Sequence, residues 1–151
     1  MRIYLDVSCL NRPFDDQGQS RIRLESEAVT LILDRCERGE WQHVSSAIAS
    51  IEIDAMPDTD RRTRVKKLLP SKLLMLELSE EIFERASKLE SLGLKSADAV
   101  HVAATEATHA DVLLTCDDRL CRLAKRRRAQ LKVSIMNPVD WLKEHSNVDD
   151  A

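Results

Sequence analysis

Apolar residues follow one another along this chain in two alternating rhythms. Short runs rich in β-branched residues or leucine occupy residues 2–7, 41–47, 72–78, 111–115 and 132–136. Between them, apolar residues recur at helical spacing over 22–36, 47–56, 63–69, 82–92, 97–108 and 120–125. Strands that are apolar on consecutive residues are covered on both faces. Alternating with helices, they predict an α/β three-layer sandwich around a mostly parallel central sheet of about five strands. Pro138 fits the first turn of a closing helix through Trp141 and Leu142. Residues 1–145 therefore read as a single domain and 146–151 as a polar, frayed tail. The segment NRPFDDQGQS, residues 11–20, joins the first strand to a long helix and exceeds the roughly 2–6 residues usual there, as loops bordering a site often do.

Composition narrows this picture. With 151 residues, 43% of them hydrophobic and 32% charged, and only three glycines and four prolines, the chain can bury a real core and is neither disordered nor fibrous. Its net charge of -3 excludes bulk attraction to nucleic acid and leaves only local patches to supply it. No stretch approaches the ~20 apolar residues of a membrane span, and the amino terminus runs straight into a strand pattern, so a cytoplasmic location is expected. Cys9, Cys36, Cys116 and Cys121 show neither CxxC spacing nor a nearby histidine pair. They read as reduced, packed thiols.

Candidate chemistry starts with Asp6, which directly follows the apolar Ile3, Tyr4 and Leu5 with no basic residue in the next few positions. A carboxylate taken out of water costs several kcal/mol unless something compensates it. In open α/β sheets the ligand site lies beyond the carboxyl ends of the strands, and four acids fall there: Asp6, Glu52, Asp98 and Asp117. Each has a structural reading as well. Backbone N–H groups and Ser8 would satisfy a buried Asp6. Ser96 would cap a helix that places Asp98 in its favourable first turn, and Asp117 or Asp118 would cap the next helix. Glu52 would border an inward stripe made of Ala47, Ile51 and Ala55. Sharing one pocket, however, the four would repel one another unless they held protons or a cation. Mg²⁺ or Mn²⁺ suits oxygen ligands without His or Cys.

IYLDVS, SSAIASIE, SADAVHVAATEA and LLTCDD, in this order, resemble the PIN-domain nucleases, including the VapC-type toxins of toxin–antitoxin pairs. The resemblance runs from Arg2 to about Trp141. It implies a PIN-like fold, divalent-metal-dependent cleavage of RNA, and products with a 5′-phosphate and a 3′-hydroxyl. It also implies that Asp6, Glu52, Asp98 and Asp117 are catalytic and hold Mg²⁺ or Mn²⁺, with Ser8 and Thr115 orienting them. A cognate antitoxin and a homodimer are its expected partners beside RNA. Val7 stands where a Thr is common, and Ala97 where a larger apolar residue is usual.

Phosphates are gripped by Arg and Lys, and two basic clusters exist: Arg61, Arg62, Arg64, Lys66 and Lys67, then Arg119, Arg122, Lys125, Arg126, Arg127 and Arg128. Arg119 and Arg122, directly after Asp117, and Arg12, in the long loop, are the expected phosphate contacts. At 3% aromatic residues there is no base-stacking platform, so recognition by charge and RNA shape is expected. His101 and His109 read as surface or packing residues of the helix after Asp98. Two rivals stand against the nuclease: a catalytically silent PIN-fold module binding RNA or protein, and a phosphotransfer receiver domain. The receiver lacks its adjacent acid pair and its lysine here.

Overall fold

Ile3, Tyr4 and Leu5 are fully buried, and successive side chains of a strand point to opposite faces, so the segment carrying them must be covered on both sides. In the computed structural model, which describes residues 1–146 (Ser146 without its side chain), it forms β1 (Arg2–Leu5) at the centre of a sheet. β2 (Gln42–Ser46), β3 (Met75–Leu76), β4 (Val112–Leu114) and β5 (Ser134–Met136) join it in the order β3-β2-β1-β4-β5, every pairing parallel. The expected five-stranded parallel α/β sandwich is borne out.

Eight helices cover the sheet among the described residues: α1 (Val7–Asn11), α2 (Ser20–Glu37), α3 (Ala47–Asp54), α4 (Thr59–Lys66), α5 (Glu80–Glu90), α6 (Ser96–Ala107), α7 (Asp118–Arg126) and α8 (Pro138–Ser146). Alternation along the strands divides the core in two. Ile3, Leu5, Val112 and Leu114 pack against Ile32 of α2, Ile53 of α3, Val65 of α4 and Trp141 of α8. Tyr4, Val44, Leu113 and Ile135 pack against Leu89 of α5, Val102 of α6 and Leu123 of α7. Each large apolar side chain so buried contributes about 1.5–3 kcal/mol. No helix among the described residues is long and apolar enough to cross a membrane.

The departures from the sequence pattern have local causes. β1 stops at Leu5 because Asp6 caps α1, its side chain accepting the Ser8 N–H. Together with a 3-10 turn over Arg12–Phe14, α1 makes much of the expected 11–20 loop helical. At the sheet edge, residues 72–78 supply only the two-residue β3; Lys72–Leu74 form a 3-10 turn that leaves Leu73 96% exposed. Short edge strands of this kind limit pairing with other chains. α4 starts four residues before its apolar pattern because the Asp58 carboxylate caps it, accepting the N–H groups of Asp60 and Arg61. Ser96 is not a cap: Lys95 holds that place without a side-chain bond, and Ser96 is the first helical residue. α3 is rotated from the expected face. Ala49 and Ile53 point inward, while Ile51 is 55% exposed. Of the expected tail, Ser146 closes α8 and 147–151 lie outside the described residues.

Candidate active site

From β1 the chain passes to β2 and β3 on one side, then crosses to β4 and β5 on the other. The crevice of an open α/β sheet opens at such a reversal, outside the carboxyl ends of the strands. Here those ends carry Asp6 after β1 and Thr115–Asp117 after β4. The two turns are laced together. Asp6 Oδ2 accepts the Thr115 hydroxyl at 2.6 Å and Oδ1 the Ser8 N–H at 3.2 Å. Thr115 Oγ1 accepts the Asp117 N–H at 3.2 Å, and Ser8 Oγ the Cys116 N–H at 3.1 Å. Ser8 and Thr115 thus fix how Asp6 and Asp117 sit relative to each other.

Asp117 caps α7, with Oδ1 accepting the N–H groups of Arg119 at 2.9 Å and Leu120 at 3.3 Å. Its other oxygen makes no hydrogen bond among the described residues. Asp98, in the first turn of α6, is half-buried and makes neither a hydrogen bond nor an ion pair among the described residues. Burial raises its pKa first, and the charges of Asp117 and Asp6 raise it further against weaker opposition from His101 and Lys95. Asp98 therefore lies in the field of both neighbours, offset only in part by His101 and Lys95, and pairs with no cation among the described residues.

Glu52 reaches the same corner from α3. One of its oxygens lies 2.8 Å from His101 Nε2, one turn beyond Asp98 on α6. His101 Nδ1 is 3.4 Å from the Tyr4 hydroxyl, which bonds Ser46 Oγ at 2.6 Å. Burial works against the imidazolium, but the bond to Glu52 and the charges of Asp6, Glu52 and Asp98 outweigh it, so the His101 pKa rises. The expectation for His101 is refined: it is buried, but it holds a candidate acid. The Asp98–His101 spacing of three residues on a helix, which puts both on one face, is the signal that could have found it. His109 lies beyond α6, exposed and at φ 58, not in the helix. Among the described residues, no three His, Cys, Asp or Glu side chains are arranged to hold an ion by themselves.

A second acidic group at this edge escaped sequence reasoning. Glu25 of α2 is 1% exposed, accepts from Arg12 Nε at 2.9 Å and Asn137 Nδ2 at 2.6 Å, and meets Arg21 at 3.4 Å. Arg21 also grips both Asp118 oxygens, at 2.6 and 2.7 Å, and the Cys116 carbonyl at 3.1 Å. Arg12 and Arg61 share Asp15, at 2.8 and 2.7 Å. Arg12, expected to contact phosphate, is thus held as a strut. Only the Arg21–Glu25 spacing of four and the Arg12–Asp15 spacing of three are local signals; the contacts of Glu25 with Arg12 and Asn137 join residues far apart along the chain.

The two basic clusters differ as well. Arg61 pairs with Asp15, Arg64 with Asp60 and Lys66 with Asp54, and Arg62 donates to the carbonyls of Asp54 and Met56. On α7, Arg119, Arg122 and Lys125 are exposed and make no ion pair among the described residues.

The PIN-domain family model matches residues 3–126 of the chain. This protein belongs to the PIN-domain family. Among solved structures, VapBC2 from Rickettsia felis, bound to a DNA fragment from its promoter, superposes with a TM-score of 0.59. Sequence identity is 14%, and the match covers 91% of this chain and 98% of that one, so the likeness is one of fold. No curated protein sequence matches this one. The resemblance read from the four short motifs is borne out at the level of the family, and at the carboxyl edge of this PIN domain Asp6 and Asp117 act on Asp98 while Glu52 is bonded to His101.

Proposed function

We propose that this PIN domain is a divalent-metal-dependent endoribonuclease with Asp6, Glu52, Asp98 and Asp117 as its catalytic carboxylates. The observation that carries the reading is Asp98: half-buried, in no ion pair among the described residues, and with its pKa raised by burial and by Asp117 and Asp6. Carboxylates kept together with their charge only partly offset suit an external cation. The donors are all hard oxygens, which fits Mg²⁺ or Mn²⁺. Mg²⁺ habitually keeps several waters and takes one or two carboxylates plus substrate phosphate.

The residues divide the work. Asp6, Asp98 and Asp117 hold the ion, directly or through water, and Glu52 joins them or orients the attacking water. Held by these residues, an ion of this class would supply a more acidic water and stabilisation of charge on the leaving oxygen. Thr115 and Ser8 fix Asp6 so that no reorientation is needed during reaction. His101 holds Glu52 by one oxygen and leaves the other available. Arg119 and Arg122 lead RNA to the carboxylates through its phosphates. The VapBC2 likeness in fold agrees with a toxin role and an antitoxin as a protein partner; a cytoplasmic location and a homodimer are part of the same proposal.

Incubation of the purified protein with single-stranded and structured RNA tests the proposal. Cleavage is expected with Mg²⁺ or Mn²⁺, is abolished by EDTA, and falls by more than about 100-fold in Asp98→Asn, beyond what loss of a ligand's hydrogen-bond partner usually costs. Equal, metal-insensitive behaviour of wild type and variant would leave only a binding module.

A further inference from the structure

Two thiols lie directly beneath the carboxylates. Cys9, on α1, is 0% exposed and Cys116, between Thr115 and Asp117, is 6% exposed. Both are free, and their Sγ atoms are 3.8 Å apart across 107 residues of sequence. We infer that Cys9 and Cys116 form an oxidation site, and that a disulfide between them disarms the carboxylate cluster. The bond itself stands independently of the nuclease reading; its consequence for RNA cleavage rests on that reading.

The oxidant is hydrogen peroxide. One thiol attacks the peroxide oxygen, giving a sulfenic acid and water. The partner sulfur then displaces the hydroxyl, which leaves as a second water, and the S–S bond forms. Two electrons pass to the peroxide, and both thiol hydrogens end in water. Burial delays the first step until the five-residue α1 opens, and burial also pushes the Cys9 thiol up. After that step the partner sulfur lies in contact, so ring closure outruns further oxidation.

The geometry ties this bond to the site. A disulfide is about 2.05 Å long, so the two sulfurs must close by roughly 1.7 Å from their 3.8 Å contact. The movement is shared by α1, which Asp6 caps, and by the turn that carries Thr115 and Asp117. Cys116 donates its N–H to Ser8 Oγ, and Cys9 Sγ bonds the Leu114 carbonyl at 3.3 Å. Close packing leaves little slack to absorb the change elsewhere. Misplacement of a catalytic constellation by about 1 Å can cost on the order of 100-fold in rate.

The test uses the Cys36→Ala/Cys121→Ala protein, which keeps only the buried pair, alongside wild type. After hydrogen peroxide, the expected results are a mass loss of roughly 2 Da and a Cys9–Cys116 cross-linked peptide. Mn²⁺ affinity and RNA cleavage should fall by at least about 10-fold, and dithiothreitol should restore both. Absence of that peptide, or a link formed with Mn²⁺ affinity unchanged, overturns the inference. If the reduced protein neither binds Mn²⁺ nor cuts RNA, the nuclease reading fails instead. The disulfide is then read from the cross-link and from amide exchange over α1, which an inert link would leave unmoved.

Discussion

Two groups of carboxylates share the carboxyl edge of this sheet, and only one is neutralised from within. Glu25, the more deeply buried, is met by two guanidiniums and an amide, and Asp118 by a guanidinium. Asp98 is only half-buried, yet it pairs with no cation among the described residues, and the fields of Asp6 and Asp117 outweigh those of His101 and Lys95. The contrast separates charges that hold the fold together from charges that the fold holds ready. The Glu25 network ties α2 to the turn before α7 and to the start of α8. Asp98 itself bonds to no other element among the described residues and its raised pKa marks a cost in stability when it is charged, which is the pattern expected of a site for a cation supplied from outside.

Substitution at the two acids should give opposite signs. Asp98→Asn should lower RNA cleavage by more than about 100-fold while raising the stability of the metal-free protein, because a repelled charge is removed. Glu25→Gln should destabilise by about 2–4 kcal/mol in denaturant unfolding, somewhat less than a fully buried pair because Arg12 and Arg21 keep water. Loss of stability in Asp98→Asn, or no loss in Glu25→Gln, would erase the distinction.

Thr115→Val keeps the volume but removes the donor to Asp6. It should lower kcat by about 10–100-fold with a small change in KM, a split read from initial rates.

The pH dependence sharpens the comparison further. The folded-state pKa of Asp98 is raised, so its contribution to stability is present below the ordinary carboxylate range and is lost as pH rises through the folded value. The advantage of metal-free Asp98→Asn over wild type should therefore be full at pH 7 and vanish in acid. Arg21 lowers the Asp118 pKa, so that stabilisation is present above the unfolded value and is lost as pH falls through the folded one. Arg21→Ala should remove a small part of the acid limb, since Asp118 is exposed. Unfolding curves at a series of pH values measure both.

The smallest effects belong to α7. Arg119→Ala and Arg122→Ala should each weaken RNA binding about uniformly across sequences and reduce the salt slope by about one, with kcat unchanged.

Much of the fold was legible because apolar rhythm is a direct record of burial: β1, β2, β4 and the helices α2, α5 and α6 lie within a few residues of their patterns. Local polar chemistry moved the rest. Asp6 and Asp58 start helices where the apolar pattern alone shows none, and exposure at the sheet edge shortens β3. The four acids could be singled out as candidates because strand ends collect ligands, and Asp117 was a foreseeable cap. The Glu25 network and the Cys9–Cys116 contact were not, because each joins residues whose nearness exists only after the sheet has formed. Arg12 shows the same limit: a guanidinium in a loop looks free until Glu25 and Asp15 are folded beside it.

A crystal soaked in Mn²⁺, with anomalous scattering recorded at the manganese edge, tests the central claim most directly. The account predicts a peak enclosed by Asp6, Asp98 and Asp117, absent from the Asp98→Asn crystal. A wild-type crystal with no peak there, or the same peak in both, would contradict it.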